Sequence, residues 1–143
     1  TSPTSSVFTV GSDNKTNKSG DDYIAYCFSG VEGYSKFGIY KGNGNSDGPF
    51  VFTGHRPALI LIKRTDSTSG ANWLLVDNKR NTFNVVNKNL FASTANAEYD
   101  TDRCDFLSNG FKLRQNGTTV NTSGGTYIYL SFAESPFKNA RAR

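Results

Sequence analysis

No stretch of this chain long enough to matter carries apolar side chains at i, i+3, i+4 and i+7, so an amphipathic helix is not encoded. What recurs instead is a short apolar or alternating run bounded by Gly, Asn, Asp, Ser or Pro, the pattern of half-buried strands between turns. Strands are expected near Val7–Val10, Tyr23–Phe28, Lys36–Lys41, Phe50–Thr53, Ala58–Arg64, Trp73–Val76, Gly110–Arg114 and Thr126–Phe132. Ala58-Leu59-Ile60-Leu61-Ile62 is apolar on both faces, which marks a central strand. Tyr23–Phe28 and Tyr127–Phe132 read as similarly well covered. Asn84–Thr101 has no clear period and reads as a long surface excursion with a helical turn at Thr94–Tyr99; loops of that length tend to carry function. The expected fold is all-β: an antiparallel β-sandwich, jelly-roll or lectin-like, of about eight strands with long polar loops. Residues 1–6 read as a linker end and 7–143 as one sandwich domain.

Composition supports this and closes other classes. A chain of 143 residues buries roughly 68–70% of its unfolded surface and needs no disulfide or metal staple. Ser, Thr, Asn and Gly make up 58 of the 143 residues, which supplies turns, while the 13% of aromatics excludes a disordered chain. Coiled coils are rich in Ala, Glu, Lys and Leu, and a membrane span needs an apolar run that this chain lacks. The formal charge of +4 is concentrated in the tail, at Lys138, Arg141 and Arg143. Elsewhere the cations are scattered, with short pairs at Lys63-Arg64 and Lys79-Arg80, so no basic face for nucleic acid is expected and the tail reads as a solvated end.

Cys27 and Cys104 have no zinc-type spacing, and two buried free thiols or a disulfide both remain open. The chain contains no Met, and Thr1-Ser2-Pro3-Thr4-Ser5-Ser6 reads as a linker, so the expectation is a piece cut from something longer. An internal echo is present: Val7–Val10 followed by Tyr23-Ile24-Ala25-Tyr26 lays over Gly110–Leu113 followed by Tyr127-Ile128-Tyr129. Each half reads as a long-looped hairpin, which predicts similar central places for the two Tyr-Ile strands.

Candidate chemistry is sparse. His55, the single histidine, stands in Thr53-Gly54-His55-Arg56-Pro57, a turn, without the nucleophile and orienting acid that a general base needs. Asp21-Asp22, Glu98, Asp100, Asp102 and Asp105 are the carboxylates from which a glycosidase pair could be drawn, if one were held protonated in a pocket. Asn43-Gly44-Asn45-Ser46-Asp47-Gly48 has the alternating oxygen ligands of half a calcium loop, but it begins with Asn and has Gly54 where a bidentate Glu belongs. Sequons at Asn14, Asn17, Asn116 and Asn121 lie in expected loops, where Asn is also ordinary turn chemistry. Tyr34, Phe37, Tyr40, Trp73, Phe83, Phe91 and Tyr99 lie nearer loops than the other aromatics. Exposed aromatics beside Asn and Asp stack on sugar rings, although Trp73 also reads as a core residue.

A resemblance rests on particular segments: Tyr23-Ile24-Ala25-Tyr26-Cys27-Phe28, Val31-Glu32-Gly33-Tyr34-Ser35-Lys36-Phe37-Gly38, Tyr40-x-Gly42-Asn43-Gly44 and Asp47-Gly48-Pro49-Phe50-Val51. Thr53-Gly54-x-Arg56-Pro57, Ile62-Lys63-Arg64, Asp105–Arg114, Ser123–Tyr129 and Phe132-Ala133-Glu134-x-Pro136-Phe137 extend it over nearly the whole chain. Together these are similar to a C-terminal domain of uncharacterised function on tail-fibre or tail-associated proteins of bacteriophages, many of them marine. The chain departs from that pattern at His55 and over Asn84–Asp102. The resemblance implies a virion surface protein that contacts its host, as a trimer carried on an upstream shaft, and it brings no catalytic residue.

The reading is therefore a non-enzymatic, distal tail-fibre module that recognises a host-surface glycan or protein through its loops. Its ligand-contacting residues are expected among Asn43, Asn45, Asp47, Asn72, Trp73, Arg80, Tyr99, Asp100 and Asp102. No cofactor is expected beyond the calcium just considered. The alternatives are a capsid-decoration or fibre-tip trimerisation domain, which would bury Phe83, Phe91 or Phe137 between subunits, and a glycan-degrading hydrolase.

Overall fold

The computed structural model describes residues 2–136, so Phe137 and the basic tail lie outside the described residues. The described residues contain eight strands and no helix, hence no helix long and apolar enough to cross a membrane. The strands are β1 (Ser35–Lys41), β2 (Phe50–Phe52), β3 (Pro57–Arg64), β4 (Leu74–Asp77), β5 (Val86–Phe91), β6 (Tyr99–Leu107), β7 (Gly110–Leu113) and β8 (Thr126–Ala133). They form one sheet, entirely antiparallel, in the order β1-β8-β3-β4-β5-β6-β7-β2.

The sheet curls into a nearly closed barrel. β5 makes the corner: its end pairs with β4 (Leu74↔Phe91, Leu75↔Leu90), and its start pairs with β6 (Val86↔Cys104). The edge strands β1 and β2 approach across a cleft of about 610 Å³ lined by Val31, Lys36, Phe37, Phe52 and Gly54. Lys36 Nζ stands 4.9 Å from the Phe52 ring centroid across that gap.

Alternation explains the core. On β8, Tyr127, Tyr129 and Ser131 point inward and are buried, while Ile128, Leu130 and Phe132 point out. Inside, Tyr40 stacks on Tyr127 at 5.1 Å, and Phe111 meets Tyr129 edge-on at 5.5 Å. Ile60, Ile62, Leu74 and Val76 complete the β3–β4 wall, fully buried residues each contributing about 1.5–3 kcal/mol of transfer free energy. The apolar run of β3 is central as expected, between β8 and β4. Its second apolar side belongs to an outer row, Phe37–Leu130–Leu61–Leu75–Leu90, that crosses five strands.

Strand polarity sorts the connections into two groups. Segments 42–49, 65–73, 92–98 and 114–125 lie at one end of the barrel. The other end carries 53–56, 78–85 and 108–109, and both the chain leading into β1 and the chain leaving β8.

Several expectations are corrected. Val7–Val10 and Tyr23–Phe28 are not strands but parts of an exposed arm, with Ile24 and Tyr26 each 80% exposed. The arm folds on itself, since the Tyr23 hydroxyl donates to Asn14 O at 2.8 Å and accepts from Lys18 N–H at 3.0 Å. The echo thus fails in its first half: Tyr127-Ile128 is in a central strand and Tyr23-Ile24 is not. The Asn84–Thr101 excursion instead holds β5 and the start of β6. No helical turn forms at Thr94–Tyr99; the hairpin turns through Thr94 N–H to Phe91 O at 3.2 Å. Of the two states left open for the cysteines neither holds in full: both are free thiols, Cys104 buried and Cys27 exposed on the arm.

Candidate binding surface at the loop end

The four loops of one end are joined into a single surface. Asn121 is the main tie: it is fully buried, its Oδ1 accepts from Asn43 N–H at 2.8 Å, and its Nδ2 donates to Asn43 Oδ1 at 2.9 Å and to Asn45 O at 2.7 Å. Within the 42–49 loop, Asn45 N–H donates to Asn43 Oδ1 and Asp47 N–H to Asn45 Oδ1, successive Asx turns that fix its shape. Gly42 permits the close approach, since a Cβ there would stand 2.2 Å from Thr122 O.

The next loop is tied in the same way. Asp66 Oδ2 accepts from Thr126 N–H at 2.9 Å, and Gly70 leaves no room for a Cβ against Thr118. Trp73 N–H donates to Ser93 Oγ at 3.1 Å and its carbonyl accepts from Ala92 N–H, which joins segment 65–73 to 92–98. Trp73 itself is half-buried under Lys63, whose Nζ lies 5.8 Å from the ring centroid and also donates to Ala71 O.

Beneath these loops Arg103, 5% exposed, spreads its guanidinium over three neutral acceptors: Nε to Asn89 Oδ1 at 3.1 Å, one terminal nitrogen to Tyr99 Oη at 2.6 Å, and the other to Gln115 Oε1. Asn89 is also fully buried and donates to Tyr99 O and Thr101 O. This planar fork, with fixed donors, holds β5, β6 and the 114–125 loop in one geometry.

Of the residues expected to contact a ligand, Asn43, Asn45, Asp47, Asn72, Trp73, Tyr99, Asp100 and Asp102 all lie on this end, in its loops or in the first residues of β6. Arg80 does not. It belongs to the 78–85 connection at the far end and folds back along β4, pairing with Asp77 at 2.6 Å and Glu98 at 3.1 Å. Lys88 extends this ion network to Asp100 at 2.9 Å. Asp47, 77% exposed at its side chain, pairs with Lys112 at 2.8 Å, and that hydrogen bond with the lysine's charge holds its carboxyl below the usual range. Asp102 and Asn72 make no side-chain hydrogen bond or ion pair among the described residues.

The oxygens nominated for calcium are committed: Asn43 Oδ1 and Asn45 Oδ1 accept backbone N–H groups, and Asp47 faces Lys112. Among the described residues no three His, Cys, Asp or Glu side chains are grouped to hold a metal. A glycosidase acid must be held protonated; the hydrogen bonds accepted by Asp47, Asp66 and Asp77 lower their pKa values, the opposite direction. His55 Nε2 lies 3.0 Å from Ser131 Oγ, but both side chains are buried at the barrel's far end, away from these loops. Burial, then the charge of Lys36, keeps the imidazole below its ordinary pKa.

Sequence reasoning missed Asn121, Arg103, Asn89 and Gln115. Asn121 was visible only as a sequon, and its side-chain nitrogen is fully used inside the protein. Buried polar side chains of this kind look like loop residues in a one-dimensional pattern.

Neither the curated proteins nor the solved structures contain a match to this chain. The profile of one protein family, a domain of unknown function, DUF7483, matches residues 1–136, which spans the arm, the barrel and all four loops. The chain belongs to that family.

Proposed function

We propose that this protein is a non-enzymatic recognition module of a bacteriophage virion, a distal tail-fibre domain whose loop end contacts a glycan or protein on the host surface. The observation that carries the reading is polarity. The chain enters and leaves the barrel at one end, and eight of the nine nominated contact residues gather at the other. A module borne at the tip of a shaft needs its attachment and its contact surface at opposite ends. Half-buried Asn72 and exposed Asp102, whose side chains make no hydrogen bond among the described residues, together with the half-buried Trp73 ring, fit a sugar ligand. Loops held by buried Asn121 and Arg103 present such groups without a large ordering cost on binding.

On this proposal the curled sheet is a lectin-like sandwich whose two halves share β5. The reading needs no cofactor. A rise in melting temperature with millimolar calcium would add one, by linkage to the folded state.

The test is binding of the labelled protein to a panel of bacterial surface polysaccharides and cells. Binding lost in an Asn72→Ala, Asp102→Ala double variant, with an unchanged melting temperature, supports the reading. Release of reducing sugar, abolished by Asp100→Asn or Asp102→Asn, would replace it with a hydrolase. A second reading, an assembly domain at a fibre tip, is favoured by the exposed apolar arm and by Phe83, which is 83% exposed.

A further inference from the structure

We propose that residues Asp22–Cys27 of one copy add as a ninth strand to the free edge of β1 in a second copy, closing the cleft between β1 and β2. This stands whether or not the loop end binds a host ligand.

Among the described residues β1 has β8 on one side and no strand on the other; Ser35 is bridged to Val31, and beyond it the edge from Phe37 to Lys41 offers a row of unpaired backbone groups. The outer side of that edge is apolar: Ile39 is 68% exposed, beside Ile128 on β8. The arm supplies a run of strand-forming residues without a strand partner, with Tyr23, Ile24, Tyr26 and Phe28 all exposed. An apolar run and an apolar edge left open in one chain are the two halves of a strand-addition interface.

Register decides that the partner is another copy. The turn Val31–Ser35 is closed by a bridge between its two ends, and a hairpin grown from it would set Phe28 opposite Gly38 and Tyr26 opposite Tyr40. Those positions face the barrel interior, where Tyr129 already lies 2.9 Å from the place of a Cβ on Gly38. Phe28 is instead on the outer face, 5.8 Å from both Phe37 and Phe132. A one-residue slip reverses every side chain, so the chain's own turn opposes the register its apolar residues require.

A strand from a second copy is free of that turn. Run antiparallel with Ile24 opposite Ile39, it sets Tyr26 opposite Phe37, extending the outer apolar row. It places Ala25, the smallest side chain of the run, opposite Gly38. It also brings Asp22 opposite Lys41; among the described residues neither makes an ion pair in the single chain. Cross-strand pairs of these kinds are individually favourable.

The experiment is light scattering of the full chain at about 50 μM, where standard-size interfaces are populated, together with a cross-link. The expected result is an oligomer that becomes a monomer in an Ile24→Asp, Tyr26→Asp double variant with an unchanged melting temperature. Lys36→Cys places a thiol opposite the native Cys27, and mild oxidation is expected to give covalent dimers or larger species on a non-reducing gel. A monomeric wild type, an oligomer that survives the double variant, an intrachain disulfide, or no disulfide at all would each overturn the proposal.

Discussion

Asn121→Ala is the sharpest test of how the loop end is held. The substitution deletes three hydrogen bonds, to Asn43 N–H, Asn43 Oδ1 and Asn45 O, at 2.7–2.9 Å. Each is worth about 1 kcal/mol net. Asn43 and Asn45 are exposed residues whose freed groups can recruit water, which keeps the loss near the sum of the bonds, about 3 kcal/mol. For a domain of this size that corresponds to a fall of about 8–12 °C in melting temperature. Asn121→Asp keeps the acceptor but turns a carboxylate oxygen toward two other oxygens, so at pH 7 its loss should be at least as large. Calorimetry gives the first quantity, and hydrogen exchange over Asn43–Asp47 shows whether the loop itself has loosened. A fall of less than about 2 °C, or unchanged exchange in that loop, would refute the reasoning that Asn121 fixes the surface.

Other perturbations probe the remaining ties. Gly42→Ala drives a Cβ against Thr122 O, a backbone atom 2.2 Å away, and should cost about 2 kcal/mol or more by chemical denaturation, with faster exchange in both joined loops. Arg103→Lys cannot span Asn89, Tyr99 and Gln115 with one ammonium and should lose about 2–3 kcal/mol, read the same way. His55, held below its ordinary pKa by burial and by Lys36, favours the neutral form in the folded state. Its stabilisation is present above the unfolded value of about 6.5 and fades as pH falls through the lower folded value. A His55→Gln variant should show a smaller loss of stability below about pH 6.5 than wild type. Asp47 follows the carboxylate rule: the contribution of its Lys112 bond is present above the unfolded carboxyl pKa and is lost as pH falls through the folded one, so Lys112→Ala should flatten that acid limb.

The parts of the fold legible in the sequence are those where alternation is undisturbed. β3 announces itself through Ala58–Ile62 and β8 through Tyr127–Leu130, because their inward and outward residues are both apolar or aromatic. β5 and the start of β6 were hidden for a physical reason. The register shifts between Val86 and Lys88, which breaks the two-residue period. Their buried positions are also filled by Asn89 and Arg103 rather than by hydrocarbons. The converse error came from the arm, where Tyr23–Phe28 has strand chemistry but no strand neighbour within its own chain. Loop composition singles out residues that converge at one end of the barrel, Asn43–Asp47, Asn72 and Tyr99–Asp102. Arg80 lies apart from them, its side chain folded back along β4 to Asp77, and loop composition said nothing of the buried side chains that hold the surface together.

Whether the loop end is the contact surface of the proposed recognition module is decided by a paired binding measurement. Wild type, the Asn72→Ala, Asp102→Ala double variant and Phe83→Ser, which alters the opposite end, are applied as labelled protein to one panel of bacterial surface polysaccharides and cells. The expected result is a bound partner, its loss in the double variant, and its retention in Phe83→Ser, with all three melting at the same temperature. Binding that survives the double variant and disappears in Phe83→Ser would contradict it.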